Sequence, residues 1–226
     1  MDNRLFFSAT QRNRDCIADV LSRIIKKGAV LEIGSGSGEH GVFFQKRFPE
    51  IIWQTSDPDL LHRESIFSWI EYEKLNKKMP KPLELNVLNI PWKIPFDSAN
   101  FLQGIVSINM IHVSPWACTQ ALFKGSGKLL NAGQFLFMYG PFKIGNKHIS
   151  QSNYLFDNSL KLQNDHWGIR NLDEVSEEAK NNPQHINAEG SMRMLKNTHN
   201  LLIPFIIYFR SFHPHHQTFF ACLWHT

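Results

Sequence analysis

Apolar residues recur along this chain with two alternating periods. Between Thr10 and Lys27, Ile17, Val20, Leu21, Ile24 and Ile25 share one face at helical spacing, with Lys26 and Lys27 in the last turn and Gly28 as terminator. A short continuous run follows, Ala29-Val30-Leu31-Glu32-Ile33, then Gly34-Ser35-Gly36-Ser37-Gly38, then a helical segment opening on Val42, Phe43 and Phe44. The pattern is strand, glycine turn, helix. It repeats, since Ile51 to Thr55 reads as a strand and Leu60 to Lys77 as a helix with Leu61, Ile66, Phe67 and Ile70 on its buried side. Leu83 to Val87, Leu102 to Ile108 and Gln134 to Tyr139 read as further strands, and Pro115 to Leu130 as the helix before the last of them. Such alternation predicts an α/β fold with a mostly parallel sheet and helices on both faces. Beyond Gly140 the period loosens, although Asn158 to Leu162 and Leu172 to Lys180 read as helices and Asn200 to Phe209 as a closing strand.

Composition narrows the picture further. A chain of 226 residues, 42% hydrophobic and 19% charged, can bury one core, so 1–226 is read as a single domain with an atypical Phe-, His- and Pro-rich tail over 204–226. Its 24 basic and 20 acidic residues leave a charge of +4 with no run of consecutive cations, which offers no nucleic-acid patch. Cys16, Cys118 and Cys222 are widely spaced and encode neither a disulfide framework nor a zinc site, as expected of a reducing, cytoplasmic setting. No metal site is expected either, because Pro214 interrupts the group His213, His215, His216 and His225 and no acid stands near them. The most apolar stretch, Leu201 to Phe212, is broken by Pro204 and Arg210, so no membrane partner is expected. Oligomeric state is not encoded.

The chemistry concentrates in Glu32-Ile33-Gly34-Ser35-Gly36-Ser37-Gly38, an E-x-G-x-G-x-G turn after the first strand. Ligands of open α/β sheets bind at the carboxyl ends of strands, where glycine lets backbone approach closely. A dinucleotide fingerprint would need glycine at position 39, which is Glu39, and a carboxylate sits poorly beside a pyrophosphate. Glu32 and Glu39 suit a cationic ligand, and S-adenosylmethionine carries a sulfonium and an amino group. Asp57, about 20 residues beyond the glycine turn, can accept from ribose hydroxyls. Asp57 and Asp59 also suit a helix N-cap. Asn86, after the third strand, can bond the edge of adenine or simply make a turn. Asn109 and His112, after the fourth strand, reach the rim where a methyl acceptor meets the cofactor, and His112 can take its proton.

These residues carry a resemblance. Arg12-Asn13-Arg14, the glycine turn with His40, Trp53 to Asp59, Asn109 to Trp116, Tyr139 to Phe142, Gln151-Ser152-Asn153 with Phe156-Asp157, and Trp167 to Arg170 together resemble the methyltransferase-like protein 26 family. The likeness implies the Rossmann-like class I methyltransferase fold and S-adenosylmethionine as cofactor. Glu32, Gly34, Ser35, Gly36, Gly38, Asp57, Asn86 and Asn109 would hold that cofactor. His112, Asn109 and Tyr139 would serve the chemistry, and Arg12, Asn13 and Asn153 the acceptor. Asn86 stands where the family usually has Asp, and the likeness thins after Asn182. The expected function is methyl transfer to a small molecule, with RNA and protein acceptors left open. The alternatives are a non-catalytic methyltransferase-like binding module and an NAD-dependent oxidoreductase, the latter disfavoured by Glu39.

Overall fold

The computed structural model describes residues 2–95, 102–181 and 203–208. Four strands, β1 (Gly28–Ile33), β2 (Ile51–Asp57), β4 (Leu102–Ile108) and β5 (Phe135–Gly140), are buried along nearly their whole length. Continuous burial is the signature of strands covered on both faces, and they run parallel together with the short β3 (Leu83–Glu84). β9 (Ile203–Tyr208) closes the sheet antiparallel to β5, in the order β3-β2-β1-β4-β5-β9. The expected α/β, Rossmann-like class I fold is what the chain adopts.

Successive side chains on a strand point to opposite faces, so each strand feeds two cores. Val30, Val106, Phe135 and Phe137 pack with Ile17 and Leu21 of α1 (Ser8–Leu21), Phe44 of α2 (Glu39–Arg47) and Ile66 of α3 (Leu60–Tyr72). Leu31, Ile105 and Leu136 face the other way, onto Leu122 and Phe123 of α4 (Trp116–Leu129). After α5 (Gln151–Gln163), α6 (Leu172–Lys180) adds Val175 to that second core. A fully buried Leu, Ile or Phe contributes about 1.5–3 kcal/mol, so these paired cores hold the sheet rigid beneath the loops at its carboxyl edge.

Several element ends differ from the sequence expectation. α1 stops at Leu21, before the lysines expected in its last turn, and α3 stops at Tyr72, shortly before Lys74 takes a positive φ of 57°. β3 covers only Leu83–Glu84 because Asn86 accepts the Leu88 amide at 3.0 Å and turns the chain away. Beyond Gly140 lies an unexpected hairpin, β6 (Phe142–Ile144) and β7 (Lys147–His148), turning on Gly145 and Asn146, both at positive φ. β8 (Arg170–Asn171) joins it in parallel. Of the tail expected over 204–226, positions 209–226 lie outside the described residues.

Candidate functional site

The sheet reverses direction of winding between β1 and β4, so the loops that leave these two neighbours diverge and open a crevice. A cavity of about 870 Å³ occupies it, walled by the glycine turn, Asp57, the loop after β3, the loop after β4, the first turn of α1 and the start of α5. That is near the upper end of the roughly 300–1,000 Å³ usual for small-molecule sites, room for two ligands side by side.

At one end the glycine turn is tied down by its neighbours. Ser35 exchanges bonds with Ser56, its amide to the Ser56 carbonyl at 2.9 Å and its hydroxyl receiving the Ser56 amide at 3.1 Å. Gly36 donates its amide to Asp57 Oδ2 at 2.9 Å, and Gly38 donates to the Ser35 carbonyl at 3.1 Å. Gly38 has a φ of 90°, and a Cβ there would stand 2.8 Å from the Ile66 backbone, so only glycine fits. Asp57 Oδ1 also receives the Asp59 amide at 3.0 Å and His62 Nδ1 at 3.1 Å, an interaction that raises the His62 pKa. The helix-cap role falls to Asp59, whose carboxylate receives the Leu61 and His62 amides. Asp57 is thereby left for the crevice.

Glu32 is buried beneath the turn, where its carboxylate receives the Trp53 indole N–H at 2.8 Å. Burial pushes its pKa up to about 7, against the pull of the Trp53 and Ser35 hydrogen bonds. Asn86 serves the turn after β3 and also lines the cavity.

The cavity wall also carries Arg12, His112, Ser152, Asn153 and Phe156. Asn109 lines the cavity at a positive φ of 59°, uncommon outside glycine but tolerated by Asn, and its backbone amide donates to the Tyr139 carbonyl at 2.8 Å. His112 is only 2% exposed, its Nδ1 has no partner, and Phe156 meets its ring edge-on. Burial, helped by the nearby Arg170 cation, lowers its pKa to about 4, so it is neutral at pH 7. Arg170 clamps the loop that carries it, donating to the carbonyls of Ile111, Ser114 and His166.

Three expected site residues, Gly38, Tyr139 and Asn13, do not line this cavity. Tyr139 lies in the α1-side core, its hydroxyl 3.6 Å from Cys16 Sγ and its pKa raised by burial. Asn13 is buried behind the wall, where its Oδ1 bonds His40 Nε2 at 2.8 Å and so fixes a histidine that does face the cavity. Glu39 also differs from expectation. Its carboxylate receives the Phe7 amide at 2.7 Å and the Ser37 hydroxyl at 3.1 Å, so it latches the segment before α1 rather than standing free for a ligand. That segment is held again where Leu5 donates its amide to Ser65 Oγ at 2.8 Å and receives the Trp69 indole at 3.0 Å. Phe7 and His62, both in the cavity wall, are absent from the sequence-based list. His62 could have been found from its position one turn beyond Asp57; Phe7 had no such signal.

A nucleoside fits these donors and acceptors. Asp57 sits at the end of β2 with capacity to accept more, Glu32 offers a buried carboxyl that becomes negative as the pH rises through about 7, and Met110 and Val87 supply apolar walls. Among the described residues no three His, Cys, Asp or Glu converge as metal ligands, and no helix is long and apolar enough to cross a membrane.

Solved structures share this architecture. An O-methyltransferase family protein from Burkholderia thailandensis superposes with a TM-score of 0.69 at 14% identity, covering 90% of this chain and 58% of that one. Human N-acetylserotonin methyltransferase, solved in complex with SAM, gives 0.67 at 10% identity over 90% of this chain and 53% of that one. Mitomycin 7-O-methyltransferase gives 0.69 at 12% identity over 89% and 54%. The chain thus spans little more than half the length of these proteins, and at such identities the likeness is one of fold. Sequence assigns the family: the profile of the family described as "Protein of unknown function (DUF938)" matches residues 4–204, and the chain belongs to that family.

Proposed function

We propose that this chain binds S-adenosylmethionine and transfers its methyl group to a small-molecule acceptor. The observation that carries the reading is one cavity whose wall includes the glycine turn and the Asp57 carboxylate together with Arg12, His112 and Asn153. When bound, adenosylmethionine supplies a methyl group activated by its sulfonium. Asp57 and Asn86 would hold the nucleoside, while Glu32 and Asn109 would face its amino-acid part. Neutral His112 has the protonation state needed to accept a proton from an acceptor hydroxyl or amine. The fold shared with methyltransferases supports the reading, and the finer likeness to the methyltransferase-like protein 26 family belongs with it.

A pyrophosphate ligand is disfavoured by the same turn. Dinucleotide sites present free backbone N–H groups to the phosphates. Here the Gly36 and Gly38 amides are already donated to Asp57 and Ser35, and Asp57 brings a negative charge to the spot. Calorimetry with adenosylmethionine, adenosylhomocysteine and NAD tests the assignment. Binding of the first two near micromolar, about −8 kcal/mol, with no NAD binding is expected. NAD binding without adenosylhomocysteine binding would overturn it, and cofactor binding with no transfer to any metabolite pool would favour the binding-module alternative.

A further inference from the structure

We infer that the acceptor is a small molecule joining a carboxylate to a flat apolar body, with Arg12 receiving the carboxylate. This rests on the cofactor reading above. The charges of the cavity wall are segregated: its acids, Glu32, Asp57 and Asp59, stand at the ends of β1 and β2, on the cofactor side. Arg12, His112, Ser152, Asn153 and Phe156 come from α1, the loop after β4 and the start of α5, segments that contribute no carboxylate to the wall.

Arg12 makes no hydrogen bond or ion pair with any described residue, so its planar fork of N–H donors is free to take a carboxylate in bidentate fashion. Asn153, on the same wall, is 8% exposed and leaves its Nδ2 unpartnered. That donor is closed off from the cavity, so Asn153 and Ser152 contribute their remaining polar surface to the wall. Phe156 supplies a flat apolar face, 40% exposed, with Pro141 beside it in the wall. A protonated amine would meet the Arg12 cation, and an uncharged aromatic would leave the guanidinium unanswered.

Adenosylmethionine has a carboxylate of its own, and the test separates that claim on Arg12 from the present one. The full chain, saturated with adenosylhomocysteine, is titrated calorimetrically with benzoate, benzamide and benzylamine, then with indole-3-acetate, indole-3-acetamide and tryptamine. Each carboxylate is expected to bind at least tenfold more tightly than its amide, and the amines not at all. Arg12→Gln, at an exposed helical position, is expected to keep its melting temperature and its adenosylhomocysteine affinity within threefold while erasing the carboxylate preference. Amides binding as well as carboxylates would overturn the inference, as would a tenfold loss of adenosylhomocysteine affinity in Arg12→Gln, which would assign Arg12 to the cofactor. Failure of the wild-type chain to bind adenosylhomocysteine would instead bring down the cofactor reading, and this inference with it.

Discussion

Asp57 illustrates how much of a site is decided by counting lone pairs. A carboxylate offers about four acceptor positions. The Gly36 amide, the Asp59 amide and His62 take three of them, so one remains for a ribose hydroxyl unless His62 turns aside. Asp57→Ala should therefore do two things: lower the melting temperature, because the Gly36 amide loses its partner, and weaken adenosylhomocysteine tenfold or more, since a hydrogen bond to a charged group contributes roughly 1.5–3 kcal/mol. A destabilised variant with unchanged affinity would make Asp57 purely structural. His62→Ala removes the competitor, and affinity should stay equal or rise a few-fold. Protons act on the same pair of carboxylates. Glu32 holds its proton to about pH 7 because of burial, and Asp57 raises the pKa of His62. Raising the pH ionises the first and neutralises the second, and both changes favour a cationic ligand. Adenosylmethionine affinity should accordingly climb between pH 6 and 8, and Glu32→Gln should flatten that slope; a pH-independent dissociation constant would contradict the assignment.

The elements around the site differ in how far their sequence announces them. Buried strands read as apolar runs and the helices as 3.6-residue patterns, so the sheet and the glycine turn were legible from residues alone. The parity of β5 is legible too: Phe135, Phe137 and Tyr139 alternate with Leu136 and Met138, and the first three all face the α1-side core. The family resemblance points Tyr139 to the site, and this alternation turns its side chain into the core instead. By contrast, the segment before α1 has no periodicity to read, because what fixes it is tertiary. Arg4 lies 3.6 Å from the Tyr72 ring centroid and 4.8 Å from that of Trp69, and Leu5 and Phe7 are tied to α3 and α2 by the bonds described above. These holds set Phe7 against the glycine turn, where a Cβ on Gly36 would come within 3.1 Å of its ring. Trp69→Ala cuts the indole bond to Leu5 and the stacking surface of Arg4 together. Hydrogen exchange at the Leu5 and Phe7 amides should quicken, and adenosylhomocysteine affinity should fall several-fold with the sheet amides still protected. Faster exchange with affinity unchanged would show that the segment merely covers the core.

For the molecule as a whole, the site places ionisable groups where folding must hold them uncharged, and this ties stability to pH. His40 and His112 are buried, and their pKa values are lowered to about 3 and about 4 from 6.5. A depressed histidine favours the fold above the unfolded value of 6.5 and loses that advantage as pH falls toward the folded value, since the unfolded chain binds the proton first. At about 1.36 kcal/mol per pH unit, the two together cost on the order of 4 kcal/mol between pH 7 and 5. Glu32 works in the opposite sense. Its folded pKa of about 7 lies above the ordinary 4.5, so its contribution is full below 4.5 and fades as pH rises to 7. Over the same interval from pH 7 down to 5 it returns about 2 kcal/mol, which offsets roughly half the histidine loss. Below pH 4.5 the unfolded chain protonates Glu as well, so the offset stops growing while both histidines continue to lose. Denaturant titrations should therefore show a shallow decline from pH 7 to 5 and a steeper one below 4.5. Glu32→Gln should steepen the upper part and His40→Gln should flatten it; a wild-type curve flat from pH 7 to 4 would mean that these histidines are not held neutral.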